Sequence, residues 1–423
     1  MTAPRPSLWH HRDFLRLWTG DSISQIGTMV SLIALPLLAI KVLDATPFQV
    51  GLLSTCETLA FLLVGLPAGA WVDRLRRRNV LIVGDLGRAV LLGSLPLAWY
   101  YDVLTLPQLY VVSLLAGVLT VFFDVAYQSY LPTLVGRDHL VEGNAKLEAS
   151  RAVSQIAGPS VGGALVQWLT APYALLVDAA SYLWSAIWIG AISMREERPE
   201  RAPDRHLGRE IREGLSFVLR HPLLRAITAT TGTSNLFSAV LNTVLIIVLA
   251  DSAQLNLSAG TIGVFFTIGS IGGLVGALVA DRVARWLGQG RTIWLSILVM
   301  APFALVAPLV QRGWTLWAVA GCWAVVSVSV VVYNITQVSF RQRLCPERLL
   351  GRMNATIRFL VWGTLPLGGF LGGVLGQTIG VRPTMWVGVI GMSLAFLPAF
   401  LSPLRTMREL PTSYDPEAAP ATT

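Results

Sequence analysis

Twelve apolar runs, each about 20 residues or longer, recur along the chain with short polar loops between them, and this recurrence restricts its folds more than any other feature. Crossing the hydrocarbon core of a bilayer as a helix takes about 20 residues. Lipid cannot satisfy a free backbone amide, so only helices and closed barrels span it. A barrel strand is about 10 residues long, about half the length of these runs, which leaves helices. The runs fall near 14–40, 48–72, 79–101, 107–131, 145–169 and 172–194, then 224–250, 259–281, 292–311, 314–340, 354–380 and 383–403. Composition agrees: 54% of residues are apolar and 13% charged, where soluble domains carry roughly 25% charge. A soluble, disordered or disulfide-stapled fold is excluded. Cys56, Cys322 and Cys345 lie far apart in no metal-ligand spacing, so neither a metal nor a cofactor is expected.

Arginine distribution sets an expected orientation. One set of loops carries Arg5 and Arg12, the run Arg74 to Arg78, Arg137, Lys146, the stretch Arg195 to Arg220, Arg282, Arg285, Arg291, Arg341, Arg343, Arg348 and Arg352. The opposite set carries Lys41, Arg312 and Arg382. Both termini are therefore expected in the cytoplasm, which requires an even number of spans. The longest loop divides the chain into a bundle over 1–194, a cytoplasmic linker over 195–222, a second bundle over 223–404 and a disordered tail over 405–423. Within the linker, Leu207, Ile211, Leu215 and Val218 have helical spacing and predict an amphipathic helix lying on the membrane surface.

The halves repeat. Asn144-Ala145 and, further on, Gly158-Pro159-Ser-Val-Gly162-Gly163 match Asn354-Ala355 and Gly368-Gly369-Phe-Leu-Gly372-Gly373 at one shared offset of 210 residues. Small residues allow close helix packing in any membrane protein, but packing alone does not produce a shared register. Repeated halves are a common build of secondary transporters. Asp73-Arg74 has a weaker counterpart in Asp281-Arg282.

The loop Gly69-Ala-Trp-Val-Asp73-Arg74-Leu-Arg76-Arg77-Arg78 resembles the G-x-x-x-D-R/K-x-G-R-R/K motif of the major facilitator superfamily, with Arg76 replacing the inner glycine. Gly158-Pro159-x-x-Gly162-Gly163 resembles the end of the fifth-helix motif of drug–proton antiporters, with Ser154 where an upstream glycine is expected. Asp85-Leu-Gly-Arg88, Gln128-Ser-Tyr-Leu-Pro132 and Asp178-Ala-Ala-Ser-Tyr182 are similar to the branch containing the enterobactin exporter and macrolide efflux proteins. The resemblance implies an all-α integral membrane fold of twelve transmembrane helices in two pseudo-symmetric six-helix bundles. It further implies that Gly69, Asp73, Arg74, Arg77 and Arg78 form a cytoplasmic gate, with Asp281 and Arg282 as its weaker twin. Arg74 and Arg77 would then meet Asp124, and Gly158, Pro159, Gly162 and Gly163 would form a hinge on which the halves rock.

Charges inside the spans are costly and normally face a cavity or a partner. Asp85 and Arg88 stand one turn apart and can pair, so they and Asp178 read as structural. Glu148 and Arg358 match under the 210 offset with opposite signs; with Arg151 they read as gate or helix-pairing charges. Glu57 lies deep in the second span without a basic neighbour, and Asp21 has Ser22, Ser24 and Gln25 around it. Asp21, Glu57 and Asp124 are the candidates for proton coupling. Gln25, Asn235, Phe237, Asn242, Tyr333 and Asn334 are the candidates for a substrate cavity.

No nucleotide loop, zinc-protease motif or nucleophile elbow is present, so an enzyme and an ATP-driven pump are excluded. The function expected is export of a small amphipathic organic molecule, of drug, macrolide or siderophore class, by proton antiport with alternating access. An importer on the same fold and a non-transporting receptor are the alternatives. The expected partners are that solute, protons and the lipid bilayer, with no nucleic acid, and the chain is expected to act as a monomer in the cell membrane.

Overall fold

The computed structural model describes residues 7–72, 74–136, 139–194, 196, 207–345 and 347–407. These residues are almost wholly helical. In chain order the helices are α1 (Arg12–Lys41), α2 (Pro47–Val72), α3 (Arg77–Tyr100), α4 (Leu106–Val135), α5 (Leu140–Leu169) and α6 (Ala171–Gly190). Then come α7 (Leu207–Arg220), α8 (Pro222–Ala250), α9 (Ala259–Leu287), α10 (Gln289–Ala304) and α11 (Trp314–Leu344). The last are α12 (Glu347–Trp362), α13 (Thr364–Thr378), α14 (Val381–Leu394) and α15 (Leu397–Phe400). Gly363 alone separates α12 from α13, so the two form one span.

Among the described residues, 11 helical stretches are long and apolar enough to cross a membrane. The expected run at 145–169 is a 30-residue helix, α5, but it does not meet that standard. Its first half carries Glu142, Lys146, Glu148 and Arg151, and its second half is rich in Gly, Ser and Gln.

The chain folds into two compact units whose borders do not follow the halves of the sequence. Unit 1 holds the described residues up to 196 together with 242–268 and 369–382. In it α1 packs on α5 and α6, α3 on α4 and α6, and α2 on α4. Small residues set the spacing, as they must where lipid competes equally for apolar side chains. A Cβ on Gly20 would stand 3.3 Å from Cα of Ser185, and one on Gly117 would stand 2.9 Å from the Glu57 carbonyl oxygen. Phe14, Leu17, Leu81, Phe123, Tyr130, Leu147 and Ile189 fill the arginine-rich end of this unit.

Unit 2 holds 204–241, 269–368 and the residues from 383 onward. α10 packs on α11, and α9 crosses α11 closely enough that a Cβ on Gly276 would stand 3.0 Å from Cα of Val328. Gly288, at φ +85°, turns α9 into α10 in a backbone conformation that strains any other residue. The predicted amphipathic helix is present as α7, yet it docks on protein. Gly214 faces the backbone carbonyl of Arg352 on α12, Glu213 pairs with the Arg352 guanidinium, and Val218 is fully buried. The missing side chain at Gly214 lets the helix lie against its neighbour.

Candidate functional site

A buried polar cluster runs through unit 1 between α1, α3, α4 and α6. Arg88 donates from Nη2 to Asp85 Oδ1 at 2.5 Å and from Nε to its own helix at Gly84. Its guanidinium lies between two rings, 4.4 Å from the Phe123 centroid and 4.2 Å from that of Tyr182. Asp178 accepts from Ser31 of α1 and, at 3.0 Å, from Ser181. Tyr182 reaches Thr28 of α1 at 2.9 Å. On the same helix Asp21 accepts from Gln25 at 3.1 Å. Asp21, Asp85 and Asp178 are 4%, 0% and 0% exposed, and Arg88 is the one buried arginine among the described residues. Asp85 Oδ2 is buried without a hydrogen-bond partner.

The cluster joins residues that the sequence separates. Asp21 was expected at a proton site and Asp85, Arg88 and Asp178 in a structural role; they form one electrostatic group. Asp124 is close enough to act on Asp21, Arg88 and Tyr127. Arg151 acts on Tyr127 but is itself exposed, as is Glu148. Glu57 stands apart on α2, half-buried, with no hydrogen bond or ion pair among the described residues. The neighbouring hydroxyls do not serve it: Thr58 donates to the Ser54 carbonyl and Thr55 to that of Gly51.

The expected partnership of Arg74 and Arg77 with Asp124 is not what the structure contains. α4 continues to Val135, so Asp124 sits nine residues short of Thr133, about 13 Å deeper at 1.5 Å per residue. Arg77 Nη1 instead lies 3.4 Å from Thr133 Oγ1 and 3.9 Å from Glu196 Oε1. The backbone of Arg78 donates to Glu196 at 3.1 Å, and its side chain donates to the carbonyls of Ile189 and Gly190 at the end of α6. Glu196 was hidden in the charged start of the expected cytoplasmic linker; its place six residues after the end of α6 was the available signal. A Cβ on Gly69 would meet nothing within 4 Å among the described residues, Arg74 is exposed, and Asp73 lies outside the described residues. Asp281 pairs with Arg285 one turn along its own helix at 3.0 Å, both exposed, and Arg282 is exposed too.

The Gly-Pro run of α5 lies at two helix crossings within unit 1. A Cβ on Gly162 would stand 3.0 Å from Cα of Val30, and Gly158 faces Met29 on the same helix. On the other side, a Cβ on Gly163 would stand 2.9 Å from Cα of Gly263, and the carbonyl of Pro159 faces that same glycine. Gly163 matches Gly373 under the repeat, and a Cβ on Gly373 would stand 2.8 Å from Cα of Gly51. Polar contacts follow the α5–α9 crossing: Ser160 to Thr267 at 2.7 Å, and Gly260 N–H to Gln167 Oε1 at 3.0 Å. Lys41 caps the seam by donating to the Leu257 carbonyl at 2.9 Å.

The expected cavity residues divide. Gln25 faces Asp21. Asn242 is exposed on the segment of α8 that belongs to unit 1. In unit 2, Asn235 donates to the Val361 carbonyl at 3.2 Å, and Phe237 packs on Gly391. Tyr333 is 4% exposed and bonded to Thr231 at 2.5 Å, so it joins α11 to α8. Asn334 is exposed.

The sequence pattern of the Major Facilitator Superfamily matches residues 17–365. The chain is 28% identical over 409 residues to the multidrug efflux pump Tap of Mycolicibacterium fortuitum, covering 92% of this chain and 95% of that protein. It is 25% identical over 348 residues to the enterobactin exporter EntS of Escherichia coli, covering 81% and 80%. In fold it is similar to a bacterial homologue of the iron transporter ferroportin in its inward-facing state, with TM-score 0.75, 18% identity, and 94% and 100% of the two chains covered. It is also similar to the nucleoside transporter NupG, with TM-score 0.69, 12% identity, and 92% and 99% covered. A helical chain that spans the membrane many times, matched over most of its length by one transporter family, is a multi-pass membrane transporter and not an enzyme: it belongs to the Major Facilitator Superfamily.

Proposed function

We propose that this chain exports a small amphipathic organic molecule, of drug, macrolide or siderophore class, in exchange for protons by alternating access. The observation that carries the proton half of this reading is a surplus of buried acid. Asp21, Asp85 and Asp178 are buried beside a single buried guanidinium. Charge left unbalanced in a medium of low dielectric is relieved by taking up a proton. A proton held by the group in one state and released in another supplies the energy for uphill movement. Asp21 lies nearest the solute path expected along α1, with Asp124 acting on it; Glu57 is a second candidate because nothing in the described structure neutralises it. Export, rather than import, is supported by the efflux functions named for Tap and EntS.

In this reading α5 is the twelfth crossing, both termini lie in the cytoplasm, and the bundles are 1–194 and 223–404. Gly69, Asp73, Arg74, Arg77 and Arg78 close the cytoplasmic side, with Asp281 and Arg282 as a second contact. Glu148, Arg151 and Arg358 act as gate charges. Gly158, Pro159, Gly162 and Gly163 form the hinge, and the solute passes Gln25, Asn235, Phe237, Asn242, Tyr333 and Asn334. The chain acts as a monomer.

The test is accumulation in inverted vesicles under an imposed proton gradient, with an efflux substrate found by growth screening. Wild-type protein should accumulate the solute and lose accumulation when a protonophore is added. Asp21→Asn or Glu57→Gln should abolish accumulation while downhill exchange persists, because the amide keeps shape and hydrogen bonding but cannot titrate. Accumulation unaffected by the protonophore, or unchanged in both variants, defeats the coupling.

A further inference from the structure

Unit 2 carries the opposite imbalance. Tyr333, Gln337 and Arg341 recur every four residues on α11 and so stand above one another on one face. The bond from Tyr333 to Thr231 sets that face against α8. One turn along α8, Asn235 holds the Val361 carbonyl of α12, and Arg358 lies three residues before Val361. α8 thus bonds to both helices that carry these arginines. Among the described residues, the titratable groups that act on Arg341 are Tyr333 and Arg358, neither of them a carboxylate.

Arg341 lies in the last turn of α11, at its arginine-rich end, and Arg358 lies in the next stretch long and apolar enough to cross a membrane. Arg341 Nε is buried with no hydrogen-bond partner, and so is Oε1 of Gln337, whose side chain is 3% exposed. The Arg358 guanidinium is exposed and stands 5.0 Å from the Trp362 ring centroid. Two guanidiniums near enough to act on each other, one of them with a buried and unpaired Nε, are costly without an anion to balance them.

We propose that Arg341 and Arg358, with Gln337 and Trp362, bind the oxyanion of an organic substrate: a carboxylate or phenolate on an aromatic body. The guanidinium fork matches a planar oxyanion. Gln337 Oε1 accepts from a hydroxyl beside that oxyanion, and Trp362 offers the ring surface. This rests on the reading of the chain as an exporter of amphipathic solutes and adds the sign of the solute's charge.

The probe is 2-hydroxybenzoate, titrated calorimetrically into the full purified chain in phosphatidylcholine nanodiscs without any gradient. It should bind at least tenfold more tightly than the uncharged 2-hydroxybenzamide. Arg341→Lys, which keeps the charge and loses the fork, and Arg358→Gln should each weaken binding at least tenfold with little change in thermal unfolding. Should Arg341→Lys unfold, exposed Arg358 carries the test. Equal binding of acid and amide, no binding of the acid, or unchanged affinity in Arg358→Gln overturns the proposal. Loss of binding on adding phosphatidylglycerol also overturns it, by assigning the arginines to a lipid headgroup. Unchanged binding with lost transport overturns it too, leaving Arg358 a gate charge alone. Anion binding that survives while proton-driven flux is absent defeats the coupling reading alone; proton-driven flux without anion binding defeats this one alone.

Discussion

At the scale of single residues, Arg88 is the side chain on which the buried acids of unit 1 depend. The spacing of Asp85 and Arg88 made their pairing legible, because residues three apart on a helix share a face. Nothing local announced that Phe123 and Tyr182, from α4 and α6, would sandwich the guanidinium, or that Asp178 and Asp21 would join the same group. The arrangement makes an asymmetric prediction. Removing one member of a buried ion pair costs about 3–5 kcal/mol because it strands the other. Arg88 retains Asp124 if Asp85 is neutralised, and it still faces Asp178. The acids have no second buried arginine. Arg88→Ala should therefore lower the thermal unfolding midpoint in detergent much further than Asp85→Asn. Equal losses would mean that Arg88 is held by its rings and by Asp85 alone.

At the scale of elements, the glycines of α2, α5, α9 and α13 decide how closely helices approach. The repeat of 210 residues placed Gly163 and Gly373 in one register, and the structure puts each against a glycine of another helix, Gly263 and Gly51. Which helix each would meet was not legible, since a small residue permits contact without naming its partner. Where two backbones are this near, a branched side chain cannot be accommodated without separating the helices. Gly163→Val and Gly373→Val should each cut transport at least tenfold at normal expression, because each disrupts one of two crossings that correspond under the repeat. Transport near the wild-type rate in both variants would remove these crossings from the transport cycle. α7 teaches the complementary lesson. Its apolar stripe was readable, but that it lies on α12, with Gly214 allowing close approach and Glu213 paired to Arg352, was not.

At the scale of the whole molecule, topology is the prediction with most reach. A cysteine introduced at Arg312 in an otherwise cysteine-free variant should react with an impermeant thiol reagent added to intact cells, and one at Arg205 should not. Reaction at position 205 would invert the orientation drawn from the loop arginines. The sequence alone determined that this chain is a bundle of membrane helices, because the bilayer demands about 20 apolar residues per crossing and admits no open backbone. It also determined the repeat and the family motif, which are patterns in one dimension. Only the tertiary structure decided which charges share a site. Glu196 rather than Asp124 meets Arg77, Asp21 joins the acids beside Arg88, and Gly51 finds Gly373. Helical periodicity tells which face a residue occupies; what that face meets depends on how separate helices pack, and local spacing contains no information about that.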